Sequence, residues 1–175
     1  MKNARIALLS PRAVAADKMI RRVQPPLGLV SLAAVLRSKG YKNLLVLDSL
    51  IEDYDDIENL YEDDDSMITY GASNEYIVEK LKSFLPTIIG ISSLFSSQVS
   101  QAYSLASAVK KEFPNISFIL NGGIESIEKA NSLSKEFDGV MIGRMIQNNP
   151  FCLSKVDEIF FNEKNKKILN EKIII

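Results

Sequence analysis

Short apolar runs alternate with amphipathic stretches along this chain, and that alternation constrains its fold more than any other feature. Strands that alternate with helices pair in parallel through right-handed crossovers. We therefore expect one doubly wound α/β domain (flavodoxin-like or Rossmann-like) over residues 1–161, with a five-stranded parallel sheet in the order 2-1-3-4-5. The five runs interpreted as strands are Arg5–Leu9, Leu44–Leu47, Thr87–Ser92, Ile116–Leu120 and Gly139–Ile142.

The stretches between these runs predict the helices. Pro25-Pro26 suits the first turn of a helix that ends near Gly40, because proline fixes a helical φ and glycine caps helix ends. Its apolar positions, expected to face the core, are Leu27, Val30, Leu32, Ala34, Val35 and Leu36. Four further helices are predicted over Ser73–Phe84, Ser100–Phe113, Ser126–Phe137 and Pro150–Phe160.

Three segments are interpreted as irregular. Residues 12–24 read as a polar loop, and residues 51–66 as a solvated loop or frayed helix, because that run has nine carboxylates and no basic side chain. A hard-cation site in the acidic run is the alternative. Residues 162–175 read as a tail, with an added edge strand as the alternative.

Two compositional absences exclude much self-contained chemistry. The chain has no histidine and one cysteine, Cys152, which rules out imidazole triads, internal disulfides and multi-cysteine clusters. We predict no catalytic residue and no metal site, and Cys152 is interpreted as a core residue. With a net charge of −1, the chain has no overall positive electrostatic field that would favour nucleic acid. No apolar run is long enough to span a bilayer, so we expect a cytoplasmic protein.

Ligands of doubly wound sheets bind beyond the carboxyl ends of the strands. The turns expected there include Ser92–Phe95, Asn121–Gly123 and Gly143-Arg144. Small hydroxyl residues and glycines let a ligand approach the backbone closely. The alternative is that they are only helix caps and tight connections.

These turns resemble the cobalamin-binding domains of B12-dependent radical S-adenosylmethionine proteins. In that family Ser-x-Leu after the third strand is followed by Gly-Gly, and here 27 residues separate Ser92-Ser93-Leu94 from Gly122-Gly123. PPLGLVSLAAVLRSKGY at residues 25–41 and YGASNEYIVEKLKSFLPTIIGISSLFSSQ at residues 70–98 are similar to the same family. The resemblance covers about residues 4–123 and implies cobalamin as the cofactor. The residues that it would place against cobalamin are Ser92, Ser93, Leu94, Phe95, Gly122 and Gly123.

The chain departs from that family in two ways. The family's Asp-x-His-x-x-Gly motif supplies a lower cobalt ligand in some members, and this chain has no histidine. The family also implies a radical domain with a three-cysteine motif. Any radical chemistry would therefore need a partner domain on another polypeptide.

The segment from residue 121 to 161 resembles a different family. NGGIESIEKANSLSKEFDGVMIGRMIQNNPFCLSKVDEIFF is similar to the end of the barrel of tRNA-dihydrouridine synthases. There, Asn-Gly-Gly and Gly-Arg hold the phosphate of FMN. The resemblance implies the same role for Gly122, Gly123, Gly143 and Arg144. It also implies a complete barrel and a cysteine acid, which Cys152 cannot supply because it follows the last strand.

Three functional hypotheses remain open from the sequence. The first is a corrinoid-binding module without catalysis of its own. The second is a fragment of an FMN-dependent tRNA-dihydrouridine synthase that retains only the flavin-phosphate site, the one case in which tRNA would be a partner. The third is a chimeric α/β domain without a ligand.

Overall fold

The structure is a computed structural model that describes residues 3–61, 64–93 and 95–163. The chain divides into two compact units, residues 1–116 and residues 117–175. In the described residues, no helix is both long enough and apolar enough to cross a membrane.

The first unit contains a three-stranded parallel sheet. Its strands are β1 (Arg5–Ser10), β3 (Asn43–Asp48) and β6 (Ile88–Ile91), in the order β3-β1-β6. Leu8 of β1 lies beside Val46 on one side and Gly90 on the other. The central strand is buried, as expected where helices cover a parallel sheet. This arrangement agrees with the first three positions of the predicted strand order.

Helix α3 (Asn74–Phe84) begins and packs as its sequence predicts. The Ser73 hydroxyl accepts a hydrogen bond from the Tyr76 N–H and so caps the first turn. Ile77, Val78 and Leu81 are buried. The helix packs against α4 (Val99–Glu112), whose buried apolar residues include Leu105 and Val109.

Helix α1 (Leu27–Ser38) occurs where predicted, but the apolar face assigned to it is wrong. Leu29 is its buried residue, and it packs with Ile6 and Leu8 of β1. Ala33 and Leu36 complete the inward side, so the contact with the sheet is narrower than the run of apolar residues. The predicted inward residues that are instead exposed are Leu27, Val30, Leu32, Ala34 and Val35.

A second sheet occupies two segments that were predicted to be irregular. It is antiparallel, in the order β2-β5-β4, and consists of β2 (Ala13–Ala16), β4 (Ile57–Tyr61) and β5 (Asp64–Tyr70). The loop prediction for residues 12–24 and the loop or frayed-helix prediction for residues 51–66 are therefore wrong in part. A short helix, α2 (Ser49–Glu52), ends within the first two residues of the acidic run. These segments form a sheet because its central strand, β5, buries Ile68, Thr69 and Tyr70. The edge strand β4 keeps its polar residues mostly exposed, so its sequence looks like that of a solvated loop.

Arg12 joins the start of β2 to β4 through charged contacts. Its side chain is 6% exposed. The Nη2 group donates to the Asp56 backbone carbonyl at 2.9 Å and to Asp56 Oδ1 at 3.2 Å, and Nη1 pairs with Glu58 Oε2 at 2.7 Å. A buried guanidinium with these three contacts compensates for much of its lost hydration. No local sequence pattern indicates this role of Arg12.

The second unit contains a two-stranded parallel sheet, β7 (Ile119–Asn121) and β8 (Gly139–Met141). Three short helices and one 3₁₀ helix follow its strands: α5 (Ile127–Leu133), α6 (Arg144–Asn148), the 3₁₀ helix Pro150–Lys155 and α7 (Val156–Phe161). The prediction of a single five-stranded sheet is wrong, because the parallel strands form one sheet of three and another of two. The predicted single domain over residues 1–161 rested on that continuous sheet. Of the predicted tail, residues 164–175 lie outside the described residues.

Candidate functional site

A groove of about 960 Å³ opens in the second unit. Asn121 of β7 lies opposite Met141 of β8, so the turns after both strands leave from the same edge of the sheet. These two turns, the start of α5 and the 3₁₀ helix form the walls. The residues that line the groove include Gly122, Gly123, Glu125, Ser126, Glu128, Gly143, Arg144, Cys152 and Lys155.

The turn after β7 has a backbone that glycine alone adopts easily. Gly122 has φ of +116° and Gly123 has φ of +64°. An added Cβ at either position would have no heavy atom within 4 Å, so the space beside this backbone is open. The next residues toward α5, Ile124 and Ile127, are buried and anchor the turn. The result is a fixed turn with an open face, which suits close approach by a ligand.

Arg144 provides positive charge in the same groove. It begins α6 directly after Gly143, where an added Cβ would again meet nothing within 4 Å. The side chain is exposed, and among the described residues it has no hydrogen-bond or ion-pair partner. A guanidinium beside open backbone is chemically suited to an anion, especially one with several oxygens such as phosphate.

Two carboxylates also line the groove, near the start of α5. The Ser126 hydroxyl caps this helix by accepting from the Lys129 N–H. Hydrogen bonds from the backbone N–H of Glu128 and from the Ser126 side chain lower the pKa of Glu128, and the charge of Lys155 lowers that pKa further. Glu128 therefore stays ionised at neutral pH. Glu125 is the second carboxylate of the lining.

Cys152 lies on the 3₁₀ helix and also lines the groove. Its side chain is partly buried and is not in a disulfide. The interpretation of Cys152 as a core residue therefore agrees only in part with its position.

The residues predicted to bind cobalamin fall into both units. Ser92, Ser93 and Phe95 follow β6 in the first unit, and all three are exposed. The Ser93 hydroxyl donates to the Phe95 carbonyl at 3.2 Å. Leu94 lies outside the described residues, and Gly122-Gly123 belongs to the second unit. The set as a cobalamin site stays a prediction.

Comparison with protein families gives a match that covers the second unit and the end of the first. Residues 95–174 match the family model for dihydrouridine synthase. This match includes both glycine turns and Arg144. It begins before residue 121 and continues past residue 161, so it is longer than the segment that the sequence analysis compared with this family.

Several tRNA-dihydrouridine(20/20a) synthases are similar to the chain. The Pseudomonas putida enzyme is 39% identical over 59 residues, which is 34% of this chain and 18% of that enzyme. The Shewanella oneidensis enzyme is 28% identical over 125 residues, 71% of this chain and 36% of that enzyme. Because 125 residues cannot fit between residue 95 and the C-terminus, this match also includes residues before residue 95.

The chain is also similar to a protein with a different name. The cytidylyl-2-hydroxyethylphosphonate methyltransferase of Streptomyces wedmorensis is 37% identical over 101 residues, 58% of this chain and 18% of that protein. A match of that length cannot fit between residue 95 and the C-terminus, so it includes part of the first unit. The chain spans between about a fifth and two-fifths of the length of these relatives.

The groove fits the phosphate group of FMN, which the dihydrouridine synthase similarity implies. Gly122 and Gly123 offer open backbone, and Arg144 offers a guanidinium that has no hydrogen-bond or ion-pair partner in the part of the chain that the structure describes. These residues would hold the phosphate, which carries about 1.5 to 2 negative charges and three acceptor oxygens.

Proposed function

We propose that the second unit binds the phosphate group of FMN, as the C-terminal part of a flavin site of the tRNA-dihydrouridine synthase type. The supporting observation is the groove in which two positive-φ glycines face open space beside Arg144. Glycine at both positions leaves room for phosphate oxygens at the main chain. The match of residues 95–174 to the dihydrouridine synthase family supports FMN as the phosphate-bearing ligand.

Each part of the groove has a separate role in this proposal. The glycine turn would supply backbone N–H donors, and Arg144 would supply a charge-assisted contact with planar geometry. The buried residues Ile124, Ile127 and Ala130 would keep the turn in place, so that little ordering is required when the ligand binds. FMN would supply the redox chemistry. Reduction of uridine in tRNA enters the proposal only because several relatives are named tRNA-dihydrouridine(20/20a) synthases.

Fluorescence titration with FMN and riboflavin tests this function, because riboflavin has the same ring and lacks the phosphate. The full chain should quench FMN fluorescence and bind FMN at least tenfold more tightly than riboflavin. Arg144→Gln should reduce FMN affinity about tenfold, since one charge-assisted contact is worth about 1.5 kcal/mol. Riboflavin affinity should not change.

The matched control is Lys135→Gln, which removes one positive charge from an exposed position of the same unit outside the groove. It should leave FMN affinity unchanged. Equal affinity for FMN and riboflavin in the unmodified chain would refute a phosphate site. Equal loss in the Arg144 and Lys135 variants would attribute the effect to net charge instead.

Corrinoid binding by the first unit is the second candidate. It is supported by the exposed Ser92, Ser93 and Phe95 at the carboxyl end of β6, beside the central strand β1. Titration with hydroxocobalamin, followed by visible absorption, should show a saturable spectral change that Ser92→Leu reduces. An unchanged spectrum at tens of micromolar would reject this candidate.

A further inference from the structure

We propose that Lys155 is a second cationic contact in the groove of the second unit, and that Lys155 and Arg144 together select a phosphate monoester over a phosphate diester. This inference rests on the proposed function and extends it to a residue outside the glycine turns. A monoester carries close to two negative charges and three free oxygens, whereas a diester phosphate carries one charge and two free oxygens. Two separate cations suit the monoester.

The position of Lys155 follows from the local backbone. Lys155 ends the 3₁₀ helix Pro150–Lys155, which packs against α6 and α5. The Asn149 N–H donates to the Met145 carbonyl and the Cys152 N–H donates to the Asn149 carbonyl, so α6 and the 3₁₀ helix are joined by a tight connection. Lys155 on the 3₁₀ helix and Arg144 at the start of α6 therefore line the same groove from two different elements.

Lys155 is available to a ligand. Its side chain is exposed, and among the residues that the structure describes it has no hydrogen bond and no ion pair within 4 Å. Glu128 is close enough for the charge of Lys155 to lower its pKa, but the hydrogen bonds that hold Glu128 come from its own backbone N–H and from Ser126. The lysine ammonium therefore donates to no other group among residues 3–61, 64–93 and 95–163.

The charge balance of the groove makes both cations necessary. Its ionised lining residues are Arg144 and Lys155 against Glu125 and Glu128, which sum to zero. Removing either cation leaves a net negative groove that repels phosphate. A phosphate monoester loses more from that change than a diester does, because it carries more charge.

The experiment compares FMN, riboflavin 4′,5′-cyclic phosphate and riboflavin as fluorescent ligands of the full chain. The cyclic phosphate carries the same ring, and its phosphate is a diester with one negative charge. The unmodified chain should bind FMN about tenfold more tightly than the cyclic phosphate. Lys155→Gln should weaken FMN binding five- to tenfold, change binding of the cyclic phosphate about twofold or less, and leave riboflavin unaffected. Lys155→Arg should restore most of the FMN affinity, and Lys135→Gln should have no effect.

The outcomes separate this inference from the proposed function. If Arg144→Gln weakens FMN binding and Lys155→Gln does not, the role of Lys155 is refuted and the phosphate site remains. If the unmodified chain shows no preference for FMN over riboflavin, both fall. Equal weakening of FMN and riboflavin by Lys155→Gln would also refute the inference, because it would show a structural effect. Melting temperatures of the variants, measured by circular dichroism, verify that each one is folded.

Discussion

Replacing Arg12 with methionine tests whether a buried charge joins the start of β2 to β4 within the antiparallel sheet of the first unit. Methionine keeps the apolar stem and removes the guanidinium, whose contacts are to the Asp56 carbonyl, the Asp56 carboxylate and Glu58. Breaking a buried pair costs about 3–5 kcal/mol. The carboxylates here are 28% and 62% exposed, so water takes over part of their solvation. Removal of Arg12 Nε, which is buried without a partner among the described residues, offsets a further part. We expect a net loss of about 2 kcal/mol.

Urea denaturation followed by tyrosine fluorescence measures this loss in the first unit alone. The chain has no tryptophan, and all six tyrosines lie before residue 104. With a urea dependence of about 2 kcal/mol/M, Arg12→Met should lower the midpoint by about 1 M. Glu58→Gln is the matched control and should lower it by less than about 0.5 M, because that carboxylate is mostly exposed. An unchanged midpoint for Arg12→Met, or equal shifts for both variants, would refute the assignment.

Two further predictions concern the first unit. Asp48→Asn should stabilise it at pH 7. Burial raises the pKa of the Asp48 carboxyl group. The contribution of Asp48 to the stability of the unit is therefore complete below about pH 3.8, and it is lost as the pH rises through the pKa that Asp48 has in the folded protein. The amide still accepts from the Leu50 N–H, and urea midpoints at pH 7 and pH 3.5 should show the gain only at pH 7. Gly71→Ala should cost about 2–4 kcal/mol, because φ is +113° and the new Cβ would lie 3.1 Å from the Ser49 backbone. Gly28→Ala, in open space within α1, should instead stabilise slightly, and a similar loss at both glycines would contradict this explanation.

Buried parallel strands were the most predictable part of the fold, because their sequences are short continuous apolar runs. The run Arg5–Leu9 became β1, and Leu44–Leu47 lies within β3. Helix α3 was equally clear, since a serine cap and three apolar residues at helical spacing agree with each other. Local sequence determines such elements before any long-range contact is considered.

The antiparallel sheet was missed because its strands depend on each other. The acidic segment that contains β4 has a composition typical of a solvated loop, and β4 itself is largely exposed. Its order comes from pairing with β5 and from the contacts of Arg12 with Asp56 and Glu58. Arg12 is 44 positions from Asp56 and 46 positions from Glu58 in the sequence. No local sequence pattern predicts contacts over such separations.

The apolar face of α1 shows a different limit. Nearly every position of this helix is apolar, so the pattern has no polar side that would identify the buried face. In the structure the sheet covers only the side that contains Leu29, Ala33 and Leu36. Periodicity located the helix, and it could not select which of several apolar faces the sheet would cover.

The Gly122-Gly123 turn is common to both resemblances, and only its surroundings distinguish the two ligands. A cobalamin site as predicted needs Ser92 from the first unit as well as this turn. A phosphate site needs a cation beside the turn, and the register of Asn121 with Met141 places Gly143 and Arg144 at the same sheet edge within one unit. The glycine turn and its cation therefore belong to one locally folded segment. For this reason the phosphate groove is the stronger functional hypothesis, although the longer sequence resemblance favoured cobalamin.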